Sequence, residues 1–211
     1  MYYPYMPAFN QSMPMPSYVR IFHASPDAPA VDVYANGKLI AKALEYKDFT
    51  EYLPLIPGKY TILVFPSGTT TNPVINTSID VMPNANYTVA ATGMLENIKP
   101  LVIPDTASPI YPGTSQLKFV HLSPNAPMVD LTFPDGTILF RNIEFKEISP
   151  NLMIPPANHT FELRLAGTDK VVLTAPNQLI KPDRYYTIYA VGLANDQPPL
   201  QIITALDKSS Y

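Results

Sequence analysis

Cysteine is absent from the 211 residues, charge is scarce, and no apolar run approaches the length of a membrane span. Each absence removes a class of function. Without cysteine there is no disulfide framework, no thiolate nucleophile and no zinc site built from thiolates. An extracellular protein of this kind has to rely on core packing and proline-stiffened loops. Charged residues make up 15% of the chain against the usual quarter. The 14 Lys and Arg are scattered, with a net charge of −3, so there is no basic stripe and no nucleic-acid partner is expected. A transmembrane helix needs roughly 18 or more consecutive apolar residues, so membrane insertion is not expected either. The opening Met1-Tyr2-Tyr3-Pro4-Tyr5-Met6-Pro7 has no basic region and no continuous apolar stretch, so it does not read as a secretory signal. No hydrophobic anchoring tail is recognisable around Ala205–Tyr211.

Proline and hydrophobic residues are plentiful. The 25 prolines are about twice the ordinary share, and 46% of the chain is hydrophobic. Disorder does not combine with so much apolar side chain. Many prolines with Tyr, Thr and Val instead indicate an all-β protein with rigid turns.

The organising feature is a duplication. His23-Ala24-Ser25-Pro26-Asp27-Ala28-Pro29-Ala30-Val31-Asp32-Val33 recurs 98 residues later as His121-Leu122-Ser123-Pro124-Asn125-Ala126-Pro127-Met128-Val129-Asp130-Leu131. After one inserted residue the correspondence continues at an offset of 99, pairing Thr61 with Thr160, Pro83 with Pro182, Tyr87 with Tyr186 and Gly93 with Gly192. The chain therefore divides into an N-terminal tail (1–17), a first domain (18–104), a proline-rich linker (105–115) and a second domain (116–211). Each domain has the size of one small sandwich.

Within the first unit, Val19, Ile21 and His23 alternate with Arg20, Phe22 and Ala24, which is strand periodicity. Ser25–Pro29 breaks that strand, and Val31–Tyr34 begins the next. Ala35-Asn36-Gly37-Lys38 carries the Asn-Gly hairpin signal. Further strands are expected at 39–44, 59–65, 74–81, 87–93 and 100–103, with an irregular segment over 45–57. About seven short strands with turn signals every 8–12 residues indicate an immunoglobulin-like sandwich. The fold expected is all-β: two tandem immunoglobulin-like antiparallel β-sandwich domains, with little helix.

The pattern His-x-Ser-Pro-x-Ala-Pro-x-Val-Asp, a hairpin, and then a Pro-Gly-x-Tyr-Thr strand resembles the DUF4397 family of bacterial surface proteins, over roughly 18–105 and 116–207. The second copy departs from it at Asn125 (Asp27 in the first) and at Ala157 (Gly58 in the first). The resemblance implies immunoglobulin-like sandwiches on exported or envelope-associated proteins, without an established enzymatic activity.

The repeated polar residues are His23, Ser25 and Asp32, matched by His121, Ser123 and Asp130. A Ser-His-Asp triad would need an exposed, strained serine and oxyanion donors, and no nucleophile-elbow motif occurs. One His and one Asp per unit fall short of the three or four ligands of a zinc or iron site, and no calcium-type Asp run appears. No cofactor is implied. The reading favoured is a structural corner in which the ring, the hydroxyl and the carboxylate satisfy one another or the turn backbone.

Tyr46, Phe49 and Tyr52 could stack on a sugar, but Phe145, Ile148 and Asn151 replace them in the second unit, so core cover is the better reading. The Asn76, Asn86 and Asn158 sequons carry weight only in a glycosylating secretory route. Residues 1–17 have no charged side chain, and Pro4, Pro7, Pro14 and Pro16 exclude a helix there. Termini are commonly loose. The alternative is an assembly arm using Tyr2, Tyr3, Tyr5 and Phe9, since an extended peptide can complete a neighbour's sheet. The function expected is a non-enzymatic structural or adhesive protein of a bacterial cell or spore surface, with self-association or other envelope proteins as partners. A spore-surface protein made in the mother cell would need no export signal. The alternative is a polysaccharide-binding module using loop aromatics.

Overall fold

The computed structural model describes residues 15–105 and 109–211. The residues proposed as an assembly arm (Tyr2, Tyr3, Tyr5 and Phe9) and positions 106–108 of the expected linker lie outside the described residues.

The first unit contains β1 (Ser17–His23), β2 (Val31–Ala35), β3 (Lys38–Leu44), β4 (Leu53–Leu55), β5 (Gly58–Pro66), β6 (Ile75–Val81), β7 (Asn86–Thr92) and β8 (Lys99–Pro104). The second contains β9 (Ser115–His121), β10 (Val129–Thr132), β11 (Ile138–Ile143), β12 (Leu152–Ile154), β13 (Ala157–Leu165), β14 (Val171–Ile180), β15 (Tyr185–Val191) and β16 (Gln201–Leu206). Helix among the described residues is limited to 3₁₀ turns at Leu95–Asn97 and Lys208–Ser210.

In the first unit, sheet β4-β1-β7-β8 faces sheet β3-β2-β5-β6; in the second, β12-β9-β15-β16 faces β11-β10-β13-β14. Two all-β sandwiches result, as expected. One detail differs from purely antiparallel pairing. β1 runs parallel to β7, and β9 runs parallel to β15. The first strand of each unit thus joins the sheet of its late strands, a long-range pairing that no local sequence signal announces. The edge strands β4 and β12, three residues each, fall in segments expected to be irregular. They are too short to show periodicity.

Local chemistry explains the turns. Asn36 and Gly37 both have positive φ, 49° and 77°, as the tight hairpin between β2 and β3 requires. Lys38 and Lys42 on β3, and Asn76, Ser78 and Asp80 on β6, keep these edge strands polar. Val19, Ile21, Val31, Val33, Ile62, Val64 and Val89 fill the first core, and Leu117, Phe119, Leu131, Phe161, Leu163 and Ile188 the second.

A third apolar cluster lies between the units. Phe22, Ala24, Ala90 and Ile103 meet Val120, Leu122, Tyr189 and Val191. These residues occupy the outer faces of the β1-β7-β8 and β9-β15-β16 sheets, so both faces of β1 and β9 are covered. The residues alternating with the core residues of β1, expected only to point away from it, form the interface.

Candidate functional site

The duplicated corner occupies one end of each sandwich, and its polar groups are committed to backbone. His23 is fully buried. The Ser25 N–H donates to its Nδ1 at 3.4 Å, so the proton is assigned to Nε2, which lies 3.0 Å from the Pro29 carbonyl. The Ser25 hydroxyl donates to the Gly93 carbonyl at 2.6 Å, tying the end of β1 to the loop after β7. The second copy repeats this: Ser123 N–H to His121 Nδ1 at 3.3 Å, His121 Nε2 to Pro127 O at 3.2 Å, and the Ser123 hydroxyl to Gly192 O at 2.6 Å. Burial pushes both imidazoles below their ordinary pKa; the bond to Pro29 or Pro127 opposes this, as does Asp48 near His23.

The aspartates do something else. Asp32 accepts from the Ala43 N–H at 2.7 Å, the Ser67 hydroxyl at 3.1 Å and the Gly68 N–H at 3.0 Å. Asp130 accepts from the Asn142 N–H at 2.6 Å and the Gly167 N–H at 3.3 Å. Ala43 and Asn142 have φ of 49° and 56°, where β3 and β11 slip register against β2 and β10. The carboxylate pins that bulge to the loop after β5 or β13. These backbone donors hold the Asp32 carboxyl below its ordinary pKa. The expected pairing of Asp32 or Asp130 with the ring or its turn is therefore replaced by pairing with two other loops. The motif joins His and Asp in sequence, and the fold sends them to different hydrogen-bond systems. Among the described residues no group of three His, Asp or Glu is arranged to hold a metal ion.

Asn125 preserves the role of Asp27. Asp27 Oδ1 accepts from the Leu95 N–H at 2.8 Å, and Asn125 Oδ1 from the Ala194 N–H at 2.7 Å.

A second polar constellation, which sequence reasoning missed, is buried between the units. Arg20 donates to the Thr88 hydroxyl at 2.8 Å, the Leu206 carbonyl at 2.8 Å and the Tyr189 hydroxyl at 3.3 Å, and approaches Asp207 at 3.6 Å. Lys118 lies 3.7 Å from Asp105 and 3.5 Å from Asp207. The Thr88 hydroxyl donates to Asp105 and the Thr187 hydroxyl to Asp207. Two cations face two carboxylates, so the group is neutral overall. Burial, and then the neighbouring Asp207, pushes the Asp105 carboxyl above its ordinary pKa, while Tyr52, Lys118 and Arg20 oppose the shift. The recurrence of Arg20 as Lys118 and of Thr88 as Thr187 was the available signal, but a face-to-face contact cannot be read from strand alternation.

Two expected segments meet this cluster. Asp105, assigned to a linker, is buried and belongs to this cluster. Tyr46, Phe49 and Tyr52, read as core cover or a sugar platform, lie at the junction of the units. Phe49 stacks on Phe22 with 4.0 Å between centroids, Arg20 sits 4.8 Å from the Phe49 and Tyr52 rings, and the Tyr52 hydroxyl donates to Asp105 at 2.5 Å.

The remaining feature is a groove of about 830 Å³ at the corner end of the second unit. Val129, Leu193 and Leu200 form its floor, Val171 and Val172 at the start of edge strand β14 form one wall, and Lys170, Asn195, Asp196 and Gln197 stand on its rim. It follows from divergence of the repeats. Six residues (93–98) join β7 to β8, whereas nine (192–200) join β15 to β16. In the first unit Leu95 and Ile98 turn back against the core. In the second, Ala194 replaces Leu95 and the longer loop lines the groove. That loop closes tightly on Gly192, where a Cβ would lie 2.1 Å from the Pro199 carbonyl oxygen.

The fold and its sites define a two-unit β-sandwich protein, each unit closed by a His-Ser-Pro corner and joined to the other through a buried ionic face. Residues 17–132, more than half of the chain, match the family described as a domain of unknown function, DUF4397, and the chain belongs to that family. No curated protein matches the chain in sequence. Solved structures that resemble it include a family CBM26 carbohydrate-binding module from Eubacterium rectale in complex with maltoheptaose (8% identity, TM-score 0.26, 93% of this chain and 100% of that one). The Bacillus anthracis TIE protein is similar at 13% identity and a TM-score of 0.25, covering 83% of this chain and 33% of that one. A candidate cell adhesion protein from Bacteroides ovatus is similar at 12% identity and a TM-score of 0.24, covering 92% and 97% of the two chains. Likeness at this level does not bear on what this chain binds. No helix among the described residues is long and apolar enough to cross a membrane.

Proposed function

We propose that the protein is a non-enzymatic structural or adhesive component of a bacterial cell or spore surface, acting as a stiff two-sandwich block that associates with further copies of itself. The observation that carries the reading is the buried ionic face formed by Arg20, Lys118, Asp105 and Asp207, with Phe22 and Phe49 stacked beside it and Tyr189 tilted against both rings. Inter-domain contacts within a chain are commonly loose and polar. A neutral, hydrogen-bonded ion cluster set in an apolar interface instead favours one relative placement of the units. A rigid spacer or building block benefits from that. A catalytic role for the corner would need a ring nitrogen free to move a proton, whereas both nitrogens of His23 and His121 are engaged by backbone. The uncharged Tyr-, Met- and Pro-rich residues 1–17 suit association in a surface layer.

The test is the size distribution of the full-length protein against one lacking residues 1–14, by sedimentation velocity over a concentration series, with immunogold labelling of spores and vegetative cells. Concentration-dependent assembly that depends on the N-terminal residues is expected. Monomers under all conditions, or a purely cytosolic label, would overturn the reading. A second reading, polysaccharide binding, rests on the rim of the second-unit groove, where the Asn195 and Gln197 amides and Lys170 Nζ make no hydrogen bond with described residues. A glycan array separates the two, since the structural reading expects no specific glycan.

A further inference from the structure

We infer that the groove on the second unit is the acceptor for the N-terminal segment, residues 1–14, of a second copy of the chain, so that copies join head to tail. The inference rests on the self-associating reading above and gives it a site.

Three observations lead to it. The groove borders a free sheet edge: β14 is the last strand of its sheet, and its first residues, Val171 and Val172, are 40% and 36% exposed. Unpaired N–H and C=O groups beside an apolar wall are what an added extended strand requires. The chemistry also matches. Residues 1–14 include Tyr2, Tyr3, Tyr5, Met6, Phe9 and Met13 and no charged side chain. The groove offers an apolar floor and carries one cation, Lys170, and one carboxylate, Asp196, on its rim, so it presents no net charge to an uncharged peptide.

The third observation is placement. Thr92 of the first unit hydrogen-bonds Leu122 O of the second at 3.3 Å, while Arg20, nearer the start of β1, bonds Leu206 O. The corners of both units therefore lie at one end of the molecule, and the start of β1 lies toward the other. The described chain begins at Met15, beside Ser17 at the start of β1, at the end opposite the groove. Extended, 14 residues reach roughly 46 Å at ~3.3 Å each, ample to enter a neighbour without reversing direction. A contact between one end of a copy and the opposite end of the next is heterologous, and such contacts propagate into open chains.

The experiment uses the full-length protein with a photo-crosslinking phenylalanine analogue at position 9, mixed as isotopically light and heavy copies, with crosslinks mapped by mass spectrometry. Crosslinks between light and heavy chains, landing on 126–129, 171–172 or 193–200, are expected. In parallel, sedimentation compares the full-length protein, the form lacking residues 1–14, and Val172→Asp, at an exposed position on edge strand β14. Val172→Asp is expected to raise the concentration needed for assembly at least tenfold, as the deletion does. Crosslinks confined to one copy, or mapping to the first unit, overturn the inference. A neutral oligosaccharide that binds the groove while assembly is unaffected does the same. If the deletion abolishes assembly and Val172→Asp leaves it unchanged, the self-associating reading survives and the groove is not its site. If every form is monomeric, both fall.

Discussion

Replacing Arg20 by Met tests whether the buried ionic face holds the two sandwiches together. Arg20 contributes hydrogen bonds to Thr88, Leu206 and Tyr189, an ion pair with Asp207, and contact with the Phe49 and Tyr52 rings. Met keeps much of the aliphatic volume and removes the charge. Asp105 and Asp207 then face Lys118 alone, leaving one excess negative charge in a site where all of these side chains are buried. Breaking a buried ion pair from one side costs about 3–5 kcal/mol because the remaining charge is uncompensated. Losing the cation–π contacts adds about 0.5–2 kcal/mol. Arg20→Met combined with Asp207→Asn restores neutrality, so the double variant is expected to be more stable than the sum of the single losses by about 1–3 kcal/mol. The assay is urea unfolding followed by circular dichroism and by tyrosine fluorescence. Wild type is expected to unfold in one transition, and Arg20→Met to separate into two as the units lose their coupling. A loss under ~1 kcal/mol for Arg20→Met, with strictly additive single variants, would refute the argument. It would mean that desolvation cancels the whole contribution of the cluster.

Other outcomes follow from the corners. His23→Ala removes the partner of the Ser25 N–H and of the Pro29 carbonyl, and is expected to lower stability by about 1–3 kcal/mol; His121→Ala should match it, checked by thermal melts. Both imidazoles titrate below the ordinary value of 6.5 in the fold. The unfolded chain therefore binds protons first as pH falls from about 6.5, so the stability these histidines contribute is complete above that pH and is lost on acidification toward their folded-state values. The expected slope is up to ~1.4 kcal/mol per pH unit for each histidine, removed in the double His→Asn variant; a flat profile between pH 7 and 5 in the wild type would contradict it. Gly192→Ala should destabilise more than Gly93→Ala. Both positions have φ near +90° to +100°, but an added Cβ meets the Pro199 carbonyl oxygen at 2.1 Å in one case and the Asn97 oxygen at 3.0 Å in the other. Equal melting temperatures would show that the 192–200 loop yields freely.

The sequence alone determined the longer strands, because period-two alternation and turn chemistry are local; the three-residue strands β4 and β12 escaped it. Val19-Ile21-His23 facing inward and the Asn36-Gly37 hairpin needed no tertiary knowledge. The duplication likewise announced two similar units, and composition announced an all-β chain. Three matters were decided only in three dimensions. β1 pairs in parallel with β7 across a long stretch of chain, and nothing local encodes that partner. His23 and Asp32 share a motif yet serve separate loops, because a sandwich corner places residues nine positions apart against different neighbours. Arg20, Phe22 and Phe49 looked like the outward half of an alternating strand and an irregular loop. They became a buried face because the outer faces of two sheets cover each other, and that depends on the surface each unit presents after folding.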